Sequence, residues 1–143
     1  MLENQKALEA LEYAIRDEIR AYTFYDTLGK KVEDKKVRYL LKNLCQDEVI
    51  HKKMLDERYV HLSEGKEYKY DEKTEFDFNS DVSLKNRKEI LEMAVELEIK
   101  AKEFYLSQAK LVPDNKCQEI FRDLAIFEEE HRIRLMELIE SLD

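Results

Sequence analysis

The backbone of this chain is almost free of the residues that interrupt helices. Its 143 residues include two glycines, Gly29 and Gly65, and one proline, Pro113, whereas an average domain carries about 12% glycine plus proline. Collagen, Gly-rich barrels and doubly wound sheets need many more of these residues. Ala, Leu, Glu, Lys and Arg supply about half of the chain, a composition typical of long helices. We therefore expect one all-α domain over residues 1–143.

The three breakers separate four stretches in which apolar residues recur at helical spacing. We predict helices at about residues 4–28, 33–62, 84–110 and 114–142. Gly29 is expected to end the first helix as a C-terminal glycine. Asp81 or Ser83 is expected to cap the third helix, and Pro113-Asp114 to open the fourth.

The connection at residues 63–83 is long and polar, but it carries the aromatic residues Tyr68, Tyr70, Phe76 and Phe78. The other two connections are short, so each joins an antiparallel helical hairpin, and a long crossover can return the chain along a bundle. We predict an antiparallel four-helix bundle made of two helical hairpins, with the crossover aromatics packed on the helices.

The two predicted hairpins are related by an internal repeat. When the sequence is shifted by 80 residues, residues 9–57 and 89–137 align without a gap at 18 identical positions. About four identities are expected by chance for this composition. The repeat pairs Glu18 with Glu98, and it pairs Phe24-Tyr25 with Phe104-Tyr105. A duplicated hairpin explains the pattern.

The same repeat contains two Glu-x-x-His motifs, Glu48 to His51 and Glu128 to His131. Residues three apart share one face of a helix, so each motif can direct an oxygen and a nitrogen to one point. A single Glu-x-x-His is a weak signal. Here two of the three histidines occupy equivalent positions, and a matched glutamate precedes each motif on the neighbouring helix.

Four carboxylates in one core repel one another and lose hydration, which costs several kcal/mol unless cations compensate them. Two divalent cations would balance the four negative charges. Carboxylate oxygens with imidazole nitrogens, and no thiolate, suit iron or manganese, with zinc as a further candidate. The sequence therefore predicts a dimetal site with these ligands: Glu18, Glu48, His51, Glu98, Glu128 and His131.

Five further residues are candidates for a role at this site or near it. Tyr25 and Tyr105 lie two turns beyond the matched glutamates, and we predict that their hydroxyls hold the opposite carboxylates in place. Cys45 lies one turn before Glu48 and is assigned to core packing, with an approach to the site left open. Cys117 is interpreted as an ordinary first-turn residue, and His61 as a solvated residue at a helix end.

These residues resemble the ferritin-like superfamily, and the rubrerythrin group most closely, over both hairpins. The signature is Glu-x6-Tyr followed by Glu-x-x-His, twice. The resemblance implies a centre of two non-haem iron ions held by the six ligands, with Glu48 and Glu128 as bridging carboxylates. It also implies reduction of peroxide or dioxygen, chemistry associated with oxidative stress.

The sequence departs from the rubrerythrin pattern in two respects. Many rubrerythrins carry another glutamate at the position of Ala101, and many append a rubredoxin domain with Cys-x-x-Cys pairs, which this sequence lacks. The resemblance then implies a separate electron donor, such as a rubredoxin. The six-ligand set is also similar to that of bacterioferritin, so a ferroxidase or iron-handling protein without a five-helix cage subunit is the alternative. A non-enzymatic helical module is the third hypothesis.

Charge and hydropathy limit the partners. The net charge is −8, which disfavours nucleic acid because a basic surface is needed to neutralise phosphates. No run of about 18 apolar residues predicts a membrane span, and the polar start predicts no secretory signal. We expect a cytoplasmic homodimer, and the long crossover would also permit exchange of hairpins between chains.

Overall fold

The computed structural model describes residues 2–70 and 86–142, with side chains from residue 4 onward. The described residues form four helices: α1 (Leu2–Lys31), α2 (Lys35–Leu62), α3 (Arg87–Leu111) and α4 (Asn115–Ser141). Helices α1 and α2 pack as one hairpin and α3 and α4 as the other. The predicted all-α four-helix bundle is confirmed. No described helix combines the length and the apolar character that spanning a bilayer requires.

Short polar side chains fix the starts of three helices. The Asp34 carboxylate accepts hydrogen bonds from the backbone of Lys36 and Val37 at the start of α2. Asp114, its equivalent in the repeat, accepts one from the Cys117 N–H at the start of α4. Each carboxylate satisfies amide groups that have no carbonyl partner in the first helical turn.

The start of α3 differs from the prediction. Helix α3 begins at Arg87 rather than at residue 84, and the Asn86 side chain caps it by accepting from the Glu89 N–H. The predicted caps, Asp81 and Ser83, lie outside the described residues, as do Phe76 and Phe78 of the crossover.

The prediction that Gly29 ends the first helix is wrong. Helix α1 continues to Lys31, and the Val32 N–H still donates to the Leu28 carbonyl. The reason is packing: Leu28 and Val32 are both buried and continue the apolar stripe past the glycine. A Cβ placed on Gly29 would lie 3.8 Å from the Leu41 Cβ, which is ordinary contact.

Gly65 instead supplies the left-handed backbone that follows a helix. It has φ +94°, after Glu64 at φ 60°. Its N–H donates to the Val60 carbonyl at 2.8 Å, a six-residue closure typical of helix C-termini. Beyond this turn Tyr68 packs on Tyr59, with ring centroids 5.5 Å apart. At this residue the crossover lies against the bundle as predicted.

Two apolar clusters fill the bundle, one toward each end. The first cluster includes these residues: Phe24, Leu28, Leu41, Leu44, Leu91 and Leu135. The second cluster includes another set: Leu11, Ile15, Leu55, Tyr105, Phe121 and Leu124. Among the described residues, the buried ones that belong to neither cluster are the predicted glutamates and histidines. The fold thus places one buried polar layer between two apolar layers.

Substitution of Gly29 by alanine should raise the free energy of unfolding by about 0.5 kcal/mol, because a helical glycine is replaced without a clash. Gly65→Ala is the matched control, and it should be destabilising by about 1 kcal/mol because an L-residue is strained at that φ. Urea unfolding followed by circular dichroism measures both. Equal destabilisation by the two substitutions would contradict the assignment of Gly29 to the helix.

Candidate metal centre

All six predicted ligands lie in the layer between the two clusters, and none is more than 2% exposed. Helices α1 and α3 contribute one glutamate each, Glu18 and Glu98. Helices α2 and α4 each contribute a glutamate and a histidine one turn apart. The structure therefore brings all six predicted ligands together in one layer.

The ligand atoms form two overlapping groups. Within each group, one atom per residue lies within 4.8 Å of the others. The first group is Glu18, Glu48, His51 and Glu128, and the second is Glu48, Glu98, Glu128 and His131. Glu48 and Glu128 belong to both groups, so their carboxylates lie where they can bridge two ions.

Seven buried oxygen and nitrogen atoms of these six residues have no hydrogen-bond partner among the residues that the structure describes. They include the Nδ1 atoms of His51 and His131 and at least one oxygen of each glutamate. His51 Nδ1 lies 3.1 Å from oxygens of both Glu48 and Glu128, but without the angles of a hydrogen bond. Buried polar atoms without partners are costly. A pair of divalent cations would satisfy all seven, so the residues fit a dimetal centre.

Two tyrosines hold the carboxylates from across the bundle. The Tyr25 hydroxyl of α1 donates to Glu98 of α3, and the Tyr105 hydroxyl of α3 donates to Glu18 of α1. Both tyrosines are buried. Each hydroxyl occupies one oxygen of its glutamate and leaves the other oxygen without a partner. This is the arrangement that the repeat predicted for the tyrosines.

The two histidines differ in what lies behind them. His131 Nε2 is 2.9 Å from the Asp47 carboxylate, which orients the ring with Nδ1 toward the glutamates. The His51 ring instead faces the Phe127 ring, with centroids 5.2 Å apart. Asp47 was not among the predicted site residues. Its position next to Glu48, where the repeat has the apolar Phe127, was a usable signal.

Burial sets the electrostatics of the metal-free layer. It raises the pKa of Glu18 to about 8 and, together with the neighbouring carboxylates, holds the pKa values of Glu48 and Glu128 well above the ordinary value. Burial also opposes ionisation of Glu98, but adjacent Glu128, His131 and Tyr25 lower the pKa of its carboxyl. Without cations, the layer therefore retains protons at a pH where exposed carboxylic acids have already lost theirs.

The imidazoles shift in opposite directions. Burial, followed by the neighbouring His131, lowers the pKa of His51 to about 4. Burial acts the same way on His131, but Glu98 and Asp47 outweigh it and raise the pKa of that imidazole. His51 is thus neutral at pH 7, the form in which an imidazole can bind a metal.

A cavity of about 30 Å³ reaches the layer between α1 and α3. Its lining includes the four glutamates of the layer, together with Asp17, Arg20, Leu97 and the small residues Ala21 and Ala101. This volume admits a molecule the size of water, dioxygen or peroxide.

The two cysteines and His61 lie outside the layer. Cys45 packs against the first apolar cluster, and its thiol lies 3.4 Å from the Tyr22 carbonyl. Cys117 is buried in the second cluster, where burial and Asp114 raise its pKa to about 12. His61 is exposed in the last turn of α2. Among the described residues, none of the three belongs to either ligand group.

The fold and the site define a four-helix bundle with a buried glutamate–histidine cluster suited to a pair of metal ions. The rubrerythrin family model matches residues 9–88 and 89–143. The chain belongs to the rubrerythrin family, a member of the ferritin-like superfamily.

Comparison of structures agrees with this assignment. The fold is similar to that of a hypothetical protein from Pyrococcus furiosus, with a TM-score of 0.77 and 25% sequence identity. The similarity covers 95% of this chain and 89% of that chain. No curated protein matches the sequence significantly.

The stability of the metal-free protein should fall as pH rises from 6.5 to 8. Folded-state pKa values above the unfolded values favour the native state only while the groups keep their protons, as for Glu18, Glu48, Glu128 and His131. Each retained proton contributes a slope of about 1.4 kcal/mol per pH unit. The lowered pKa of His51 destabilises the native state only below pH 6.5, where the His51 imidazole becomes charged in the unfolded chain. It therefore does not act in the range from pH 6.5 to 8.

Thermal unfolding of chelator-treated protein across this range measures the slope, and a divalent ion should raise the midpoint most at pH 8. Glu48→Gln/Glu128→Gln should flatten the dependence. A midpoint that is independent of both pH and metal would favour the non-enzymatic helical module.

Removal of either buried hydroxyl should weaken metal binding. We expect Tyr25→Phe and Tyr105→Phe each to lower the affinity for Co(II) by about 10- to 100-fold, because the ligand carboxylate loses the hydroxyl that holds it in place. Competition with a chromophoric chelator measures the affinity. Tyr39→Phe, at a tyrosine that is 69% exposed on α2, is the matched control, and equal affinities in all three variants would refute this role.

Proposed function

We propose that this protein is a non-haem di-iron oxidoreductase of rubrerythrin type, which reduces hydrogen peroxide or dioxygen. The observation that carries the proposal is the set of seven buried ligand atoms without partners, contributed by four glutamates and two histidines. Oxygen and imidazole donors without thiolate suit iron, and manganese or zinc are the substitutes that the same donors accept. Membership of the rubrerythrin family supports iron.

When bound, two ferrous ions supply the two electrons that reduction of peroxide requires. The residues of the chain have other tasks. Glu48 and Glu128 belong to both ligand groups and would hold both ions, while Glu18 and Glu98 would each complete one group. Every one of these carboxylates is buried, so bulk water is kept from the reacting oxygen atoms.

Access and proton supply follow from the α1–α3 side of the layer. The cavity beside Ala21 and Ala101 is also lined by Glu18 and Glu98, so it is the proposed route for the oxidant. The Tyr25 and Tyr105 hydroxyls are bonded to the same two carboxylates. They hold these carboxylates in place during turnover, and their protons lie within one hydrogen bond of the centre.

We place the electron donor on a separate protein, such as a rubredoxin. The two cysteines of the sequence are Cys45 and Cys117. They pack in different apolar clusters, so they cannot form the four-thiolate iron site that would supply electrons internally.

Anaerobic loading with Fe(II) followed by mixing with peroxide tests the proposal. We expect about two irons per chain and rapid appearance of ferric absorbance, which Glu48→Gln/Glu128→Gln should slow by at least about 100-fold by removing the shared ligands. Glu57→Gln/Glu130→Gln changes exposed glutamates of the same two helices and is the matched control. Equal oxidation rates in the two double variants would refute the function.

The alternative is a ferroxidase or iron-handling protein with bacterioferritin-like chemistry. The presence of Ala101, where many rubrerythrins carry a further glutamate, favours it because the six-ligand set is then complete. This alternative predicts uptake of iron well beyond two ions per chain and a large assembly by size-exclusion chromatography. Saturation at two irons, with repeated turnover in the presence of reduced rubredoxin, would instead favour the oxidoreductase.

A further inference from the structure

The two halves of the layer carry the same ligands but differ immediately behind the histidines. Asp47 precedes Glu48 on α2, and the repeat places Phe127 before Glu128 on α4. The bundle makes both positions face the opposite histidine: Asp47 contacts His131, and Phe127 contacts His51. The internal symmetry therefore allows the two histidine environments to be compared directly.

On the His131 side the partner is a carboxylate. Asp47 Oδ2 lies 2.9 Å from His131 Nε2 and 3.9 Å from a guanidinium nitrogen of Arg134. With Nε2–H donated to Asp47, the lone pair of Nδ1 points to Glu48 and Glu98, whose oxygens are 3.5 Å away. The imidazole is thus fixed in the tautomer and orientation that a metal needs.

On the His51 side the partner is apolar. The Phe127 ring lies at 44° to the imidazole and offers no acceptor for an N–H. In the described parts of the chain, no side chain hydrogen-bonds His51 Nε2. Arg134, which lies near Asp47, is also replaced by Met54 in the repeat. Among the described residues, no carboxylate at Nε2 therefore selects the tautomer of His51 as Asp47 does for His131.

The other ligands are of the same chemical type at the two positions. Glu48 and Glu128 are shared by both. Glu18 and Glu98 each accept one tyrosine hydroxyl from the opposite hairpin. The ligand histidines therefore differ in the residue that lies behind each ring.

We propose that the two metal positions are inequivalent and that Asp47, a positioning residue, makes the position at His131 the tighter one. The first divalent ion then binds among Glu48, Glu98, Glu128 and His131, and the position at His51 fills second. This inference rests on the dimetal centre proposed above. A carboxylate behind a ligand histidine typically contributes about 10- to 100-fold in metal affinity.

The test is the location of Co(II) in crystals grown with half an equivalent of Co(II) per chain, read from anomalous scattering. A 10-fold preference places about nine-tenths of the bound Co(II) at His131. Asp47→Ala should make the two occupancies nearly equal. The exchange Asp47→Phe/Phe127→Asp should move the preference to His51, an inversion that a merely structural role for Asp47 would not produce.

The substituted side chains are 40% exposed at Asp47 and 42% exposed at Phe127, and thermal unfolding verifies that each variant folds. Equal occupancies in the unmodified protein, or a preference for His51, would overturn the inference and leave the dimetal centre intact. An exchange variant that still prefers His131 would show that Asp47 is not the cause. Absence of Co(II) from both positions would instead overturn the dimetal centre itself, and the inference with it.

Discussion

Burial of four carboxyl groups in one layer is the constraint on which the rest of this structure depends. Each of the four is at most 2% exposed, and an unpaired buried charge costs several kcal/mol. Domains have a net stability of only about 5–15 kcal/mol. The layer must therefore retain protons or bind cations, and the two apolar clusters on either side must offset what the layer costs. Asp47 and the two buried tyrosines contribute by fixing the ligands before any ion arrives.

The duplication explains how such a layer is assembled from simple parts. One hairpin supplies a glutamate from its first helix and a Glu-x-x-His from its second, and the repeat supplies the same set again. Because the tyrosines bond across the bundle, Tyr25 to Glu98 and Tyr105 to Glu18, neither half is complete alone. The layer holds the two hairpins in register as well as holding its ligands.

Much of this arrangement could be predicted because it depends on period and spacing. Glu48 and His51 share a helix face wherever the helix ends, so a misplaced boundary does not disturb the ligand set. The end of α1 could not be predicted from Gly29 alone, because burial of Val32 outweighs the preference of glycine for helix ends. The start of α3 at Asn86 depends on a loop sequence with several equally suitable caps.

The contact between Asp47 and His131 is a different case. It joins residues 84 apart, and the angle between two helices decides it rather than any local pattern. The repeat identified Glu18, Glu48 and their partners because they are identical in both halves. It passed over Asp47 and Phe127 for the opposite reason, since these two positions differ.

The proposed dimetal centre requires two metal ions that share Glu48 and Glu128. X-ray absorption of the Fe(II)-loaded protein tests this sharing most directly, because a metal–metal scattering path arises only when two ions are close. We expect a metal–metal distance of about 3.5–4 Å. The scattering path that reports this distance should be absent in the variant Glu48→Gln/Glu128→Gln. A spectrum fitted by isolated iron with oxygen and nitrogen neighbours and no second metal would contradict it.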